Sequence, residues 1–250
     1  NTHANGDHTH GNALVANAEV IASAAAAQEM AELPPAALAK LKAAGAAGAL
    51  GEAGLYFAEL FAPFDFTKAR GRAPTRTFER RLDLRVGDKA VELHRLGPAH
   101  TAGDVLAWVP AERTVFTGDL LFIGGTPIMW AGPVRNWLAA CDRILEMNAE
   151  NIVPGHGPMT DAAGVRRVRE YLQYVDTEAR RRFDAGMSAE DAALDIALGE
   201  YRHWLDAERI AVNVDSLYRE YRGEAVPSDP VQLFGLMARV RRAMRSSNPS

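Results

Sequence analysis

Near its start the chain carries His3-Ala4-Asn5-Gly6-Asp7-His8, which places two imidazoles, an amide and a carboxylate within one short stretch. Imidazole nitrogen and carboxylate oxygen are the usual non-thiolate ligands of zinc and related divalent ions. A glycine among them lets the backbone turn tightly enough to aim several at one point. The competing reading of this run alone is a polar loop, since short motifs also arise by chance. Three further residues change that balance. His100 follows Gly97-Pro98-Ala99, Asp119 follows Phe116-Thr117-Gly118, and His156 stands between Gly155 and Gly157 after Ile152-Val153. Each lies beside glycine at the end of an apolar segment, where a rigid strand would fix the backbone that carries a ligand. A divalent ion held by such groups activates water near neutral pH and polarises a carbonyl.

The elements that must position these groups follow from hydrophobic period and from turn residues. Residues 19–23 read as a short strand and the Ala-rich residues 24–31 as a helix. Pro34-Pro35 opens a helix to about residue 44, closed by the Gly45/Gly48/Gly51 cluster, and residues 54–66 read as another helix. Alternation at Phe78, Arg80, Leu82 and Leu84, the turn Gly87-Asp88 and the run Ala90-Val91-Glu92-Leu93 predict a hairpin. Strands are expected at 104–109, at 114–117 ending by Asp119, and at 152–153, with a helix from Pro133 to about residue 148. From 161 to 222 the pattern is almost wholly helical, broken at Gly186-Met187-Ser188, with Ser188 as N-cap of a helix over 189–198 and a last helix over 231–245. Strands alternating with helices, followed by a helical region, predict an α/β layered class.

Composition narrows the function classes. An apolar fraction of 48% and a charged fraction of 24% are ordinary for a folded globular chain. The net charge of −4, and basic runs such as Arg180-Arg181-Arg182 set among acidic neighbours, argue against nucleic acid as a partner. Cys141 is the only cysteine, which excludes a thiolate cluster and suits a buried core thiol. No apolar run reaches the length of a membrane span, so no membrane partner is expected and the default location is cytoplasmic.

Taken together and in order, the four motifs resemble those of the metallo-β-lactamase superfamily. Its His-x-His-x-Asp-His motif is similar to His3 to His8. Its later histidine is similar to His100 in Pro-Ala-His-Thr-Ala-Gly-Asp, its bridging aspartate to Asp119 in Phe-Thr-Gly-Asp, and its last histidine to His156 in Val-Pro-Gly-His-Gly-Pro. The resemblance implies a four-layer αβ/βα sandwich. It divides the chain into a catalytic domain over 1–160 and a helical region over 161–250, packed on it or forming a lid. Because Asn1-Thr2-His3 is not an initiator sequence, the chain reads as N-terminally truncated with the first strands missing. The resemblance further implies two metal positions: a first with His3 and His100, a second with Asp7, His8 and His156, and Asp119 between them. Asp7 would also orient the attacking hydroxide. Asn5 stands where the superfamily usually has its second histidine, and its amide is either a ligand or a contact to ligand or substrate. The expected cofactor is zinc, with one firm second site, one weak first site, and iron or manganese as alternatives.

The expected function is a metal-dependent hydrolase in which metal-bound hydroxide attacks an ester, thioester, lactone or amide carbonyl. One alternative is an aromatic polyketide cyclase/thioesterase on the same metal site, suggested by cyclases that resemble this superfamily and by an Ala/Arg-rich composition of the kind found in high-GC bacteria. Another is a metal-poor, non-enzymatic binding protein. The expected partner is a small-molecule substrate with an apolar acyl or aromatic group. Residues 121–123 and 127–130, Trp130 above all, would form its apolar wall, with core packing as their other reading. A homodimer through the helical tail is open, and Trp204, Tyr218 and Tyr221 are expected to pack. His10, His94 and His203 are assigned no metal, though His10 lies next to the motif and His203 could face the pocket.

Overall fold

A computed structural model describes residues 1–246. Two sheets carry the ligand-bearing segments. The smaller pairs β1 (Ile21–Ser23) with β2 (Arg76–Phe78) in parallel. The larger has five strands in sequence order: β3 (Arg81–Val86), β4 (Lys89–Arg95), β5 (Val105–Val109), β6 (Thr114–Phe122) and β7 (Asn151–His156). β3 to β6 run as an antiparallel meander, whereas β6 and β7 are parallel. Parallel neighbours need a crossover, and α5 supplies it.

The helices are α1 (Gly6–Thr9), α2 (Ala24–Glu32), α3 (Pro35–Ala46), α4 (Gly51–Leu60), α5 (Val134–Glu146), α6 (Ala162–Asp184), α7 (Ala189–Asp195), α8 (Ile210–Arg222) and α9 (Pro230–Ser246). Side chains start several of them by accepting from the first free backbone N–H groups. Ser23 Oγ accepts from Ala26 N at 3.1 Å, Asp161 Oδ1 from Ala163 N and Gly164 N at 2.8 and 3.1 Å, and Ser188 Oγ from Asp191 N at 3.1 Å. In α5 the buried Val134, Trp137, Cys141 and Ile144 recur at the helical period, and this stripe faces the sheet. Trp137 is fully buried and donates through Nε1 to the carbonyl of Leu120 at 2.9 Å, which ties α5 to β6. Cys141 is buried as expected, and burial pushes its thiol up to about 12.

The core is continuous from the sheet into the later helices: Leu106, Val115 and Ile152 belong to the same buried cluster as Tyr171 of α6, Leu217 of α8 and Met237 of α9. Tyr218 packs in this cluster, and Trp204 and Tyr221 pack against it. Among the described residues no helix is long and apolar enough to cross a membrane.

Several boundaries differ from the sequence expectation. The helix expected over 54–66 is α4, which ends at Leu60, because Pro63 disfavours helical backbone at the residue before it and offers no N–H. The region 161–222 is less regular than expected: α7 stops at Asp195, and two 3-10 helices, Gly199–His203 and Ala207–Arg209, precede α8. Gly199 and Asp206 have positive φ of 55° and 56°, which no continuous helix contains. The strand expected to end by Asp119 continues to Phe122. Gly118, at φ 52°, shifts the register against β7, yet pairing resumes at Phe122 opposite His156. The opening motif is not an extended loop: its second half is the single turn α1.

Candidate metal centre

Five segments deliver seven side chains to one point, six of them imidazoles or carboxylates. The stretch before α1 carries His3 and Asn5, α1 carries Asp7 and His8, the loop between β4 and β5 carries His100, β6 carries Asp119 and the end of β7 carries His156. β7 reaches Asp119 because residue 155 has no side chain; a β carbon there would stand 2.0 Å from Asp119 Oδ1.

The six imidazoles and carboxylates fall into two groups, and Asp119 of the first also lies beside His8 and His156 of the second. His3, His100 and Asp119 form a fully buried set, and Asp7, His8 and His156 form a set open to solvent. Asp119 Oδ2 lies 3.5 Å from His3 Nε2, 3.4 Å from His100 Nε2 and 3.3 Å from His156 Nε2, and its Oδ1 lies 3.1 Å from His8 Nε2. Asp7 Oδ2 is 3.2 Å from the Nε2 atoms of both His8 and His156. Those two nitrogens are only 3.4 Å apart. Every histidine of the centre therefore presents Nε2 inward.

The opposite ring nitrogens explain why. His100 Nδ1 is 2.6 Å from the carbonyl of Ile128, which can only accept, so Nδ1 carries the proton and Nε2 the lone pair. His3 Nδ1 is 3.1 Å from Thr2 Oγ1. That hydroxyl can donate or accept, and His3 Nε2 is buried without a hydrogen-bond partner. Asp119 Oδ1 is likewise without a well-aligned one, despite the nearness of His8. A buried polar atom left unpaired costs about 1–3 kcal/mol. An unpaired imidazole nitrogen and an unpaired carboxylate oxygen at one centre are groups that bound cations would satisfy. The donor set of imidazoles and carboxylates, with no thiolate, fits a zinc-like divalent ion at each position.

Asn5 sits at the first position. Its Nδ2 lies 3.0 Å from His100 Nε2, and because that nitrogen holds the lone pair, the amide N–H donates into it. This is the electron pair that a metal ion at the first position would take.

Charge follows burial. Burial drives His3 down to about 3, so His3 is neutral at pH 7. Burial opposes charge on His8 as well, but the carboxylates of Asp119 and Asp7 beside its Nε2 outweigh it and raise His8 to about 10. The same two carboxylates raise His156 to about 9. Burial opposes ionisation of Asp7 and Asp119, yet hydrogen bonds from His156 and His8 hold both far below the usual carboxylate range.

The apolar wall expected beside the site is mostly core. Leu121, Phe122, Ile128 and Met129 are buried, and of that group Ile123 and Trp130 reach the surface. Phe122 has a use nonetheless, since its ring stacks on His156 at 5.1 Å and 9°. His203 is exposed at the end of its 3-10 helix, and His94 pairs with Glu92 at 2.9 Å within β4.

The sequence reading missed the residues that hold His100. Asn213 of α8 accepts from Met129 N at 2.8 Å and donates to the carbonyl of Pro127 at 2.9 Å, and Ser216 donates to the carbonyl of Met129 at 2.6 Å. Together they fix the segment whose Ile128 carbonyl orients the ring. Asp104 accepts from Thr101 N and Oγ1 at 2.9 and 2.7 Å and so shapes the loop after His100. Asn213 and Ser216 are polar residues on the otherwise apolar face of α8, the one sequence signal that could have marked them.

A pH dependence follows. His8 and His156 have raised values, so without metal both are protonated at pH 7. Their pairing with Asp7 and Asp119 contributes stability that is complete below about 6.5 and lost as pH rises through 9 and 10. A metal ion at the second position must displace those protons. Zinc titrations at pH 7 in two buffers of different ionisation heat should show release of about two protons per ion and tighter binding at higher pH. Proton-neutral binding would contradict the assignment.

Comparison with known proteins agrees with this geometry. The family model described as the metallo-beta-lactamase superfamily matches residues 1–156. A beta-lactamase-like protein 2 homolog from Caenorhabditis elegans is 34% identical over 77 residues, which is 31% of this chain and 25% of that protein. Among solved structures, the stereoselective inverting sec-alkylsulfatase Pisa1 from Pseudomonas sp. superposes with a TM-score of 0.61 at 14% identity, over 89% of this chain and 40% of that one. A metallo-beta-lactamase from Pontibacter korlensis gives a TM-score of 0.47 at 20% identity, over 69% of this chain and 66% of the other. The chain thus spans a quarter of the length of the curated relative and less than half of the alkylsulfatase, and the structural likenesses bear on fold alone. With a family match over residues 1–156 of 250, the chain belongs to the metallo-beta-lactamase superfamily.

Proposed function

We propose that the chain is the catalytic body of a metal-dependent hydrolase that opens an ester, thioester, lactone or amide at its carbonyl. The observation that carries this reading is the pair of three-ligand groups around buried Asp119. His3, His100 and Asp119 would hold one ion, and Asp7, His8 and His156 the other, with zinc as the best match to the donors. Divalent ions there supply Lewis acidity toward the carbonyl and lower the pKa of water.

The chain's own groups do the rest. Asp119, buried and ionised, fixes the spacing of the two positions. Asp7 stands at the solvent-facing side, its side chain 44% exposed and its carboxylate held ionised, so Oδ can accept a hydrogen bond from an incoming water and orient it. The stacked Phe122 keeps the His156 ring from rotating away.

The positions are unequal on this reading. An amide oxygen is a weaker donor toward zinc than imidazole, and the Asn5 N–H already engages His100. The second position is the firm one and the first the weak one. Exhaustive dialysis against metal-free buffer should leave about one zinc per chain, and Asn5→His should retain about two, as read by elemental analysis. Two tightly held ions in the unaltered chain would overturn the inequality.

Activity is tested with zinc-loaded protein on a panel of acyl esters, acyl thioesters, lactones and amides, plus a sec-alkyl sulfate because of the alkylsulfatase likeness. Product mass should rise by one water. Asp7→Asn should lower kcat by about 100- to 10,000-fold, the range for a lost proton-handling group. A panel without turnover would overturn the proposal, and a product that has lost water would favour ring closure by a cyclase.

A further inference from the structure

Across from Trp130 lies a larger apolar surface. The rings of Phe57, Phe61, Phe64, Phe66 and Phe234 form one connected series. Phe234 is 5.0 Å from Phe57, Phe57 is 4.6 Å from Phe61, Phe61 is 5.7 Å from Phe66, and Phe64 lies near-parallel to Phe66 at 6.2 Å and 17°. Each end of the series reaches a segment that borders the metal centre. At one end Phe234 is 6.2 Å from Trp130, whose backbone N–H donates to the carbonyl of His100 at 2.9 Å. At the other, Phe66 is 6.1 Å from His10, whose imidazole packs directly on Gly6 at the start of α1, the turn that bears Asp7 and His8.

The segment carrying the outer rings is fastened. Lys42 Nζ donates to the carbonyls of Ala62 and Phe64 at 3.1 and 2.6 Å, and Asp65 Oδ1 accepts from Thr67 N and Oγ1 at 3.1 and 2.6 Å. Phe57 is buried and anchors the series in the core, yet Phe64 is 50% exposed, and Phe61, Phe66, Phe234 and Trp130 are only half-buried. Holding aromatic rings in place while part of their surface stays in water forgoes burial that folding would reward. Such fixed, clustered apolar surface marks binding sites.

We propose that this ring series binds the apolar group of the substrate opened at the metal centre, so that the substrate is an acyl compound bearing an extended alkyl or aryl group. The inference rests on the hydrolase reading and names its substrate class. A series that runs from the His100 segment round to the Asp7–His8 turn suits a group bonded to the reacting carbonyl, because both its ends reach segments that border the place where that carbonyl must sit.

Carboxylate products serve as probes, since they bind without turnover. Calorimetric titration of the zinc-loaded chain with acetate, hexanoate and decanoate should show affinity rising about two- to fourfold per added methylene. Naphthoate forms a separate arm: tighter binding than decanoate identifies an aryl group, weaker binding an alkyl chain. Phe66→Ala should weaken decanoate about tenfold and leave acetate unchanged, whereas Phe66→Leu should recover most of the loss. Phe64→Ser, at a half-exposed position that the fold tolerates, should weaken decanoate about threefold. Equal affinity for acetate and decanoate, or decanoate affinity unchanged in all three variants, overturns the proposal. So does a dimer in sedimentation that Phe64→Ser dissociates while decanoate affinity stays the same, because the rings then cover a second copy. Length-dependent binding without turnover of a decanoyl ester would leave the ring assignment standing and remove the hydrolase reading alone.

Discussion

A carboxylate buried to 3% of its surface among four imidazoles is the constraint around which this molecule is arranged. An ion such as Asp119 survives in a protein interior only if positive charge or hydrogen bonds replace the water it has lost. Without metal, protons on His8 and His156 supply part of that charge, while neutral His3 and the lone pair on His100 Nε2 cannot. Two cations would satisfy the whole set at once. The close approach at Gly155, the register shift at Gly118 and the tautomer fixed by Ile128 all serve to keep these groups converged.

The helices after β7 are therefore part of the centre's support and not only a covering. Asn213 and Ser216 on α8 hold the 127–129 segment, that segment sets the ring of His100, and His100 faces Asp119. Asn213 also receives no slack from behind, since its amide donates to Tyr171 OH at 2.9 Å from α6. A ligand ring is thus oriented through backbone carbonyls by side chains more than one hundred residues later in the chain, and mutations far from the metal positions can act on them.

The residues that converge on Asp119 were legible because their chemistry is local: a cluster of histidines and an aspartate at the start, then a histidine or aspartate near glycine at the end of an apolar run, three times over. The hairpin at Gly87-Asp88, the capping by Ser188 and the stripe in α5 were legible for the same reason. What escaped depended on contacts distant in sequence. Continuation of β6 past Gly118 is decided by β7 beside it, and the burial of Leu121, Phe122, Ile128 and Met129 is decided by the helices packed over them. The aromatic series escaped because Phe234 and Phe57 approach only through the packing of α9 on α4. Residues 54–66 looked like one helix on period alone, while Pro63 ends it and turns Phe64 and Phe66 outward.

The chain belongs to the metallo-beta-lactamase superfamily, and Asn5 stands where the motif it resembles usually has a histidine. The central claim is that the cluster around Asp119 is a divalent-metal centre. Elemental analysis of the purified chain after zinc loading, run beside Asp119→Asn, tests it most directly. At least about one zinc per chain is expected at neutral pH, lost almost completely when the shared carboxylate becomes an amide. A chain that takes up no divalent metal, or one whose metal content is the same with and without the Asp119 carboxylate, would contradict it.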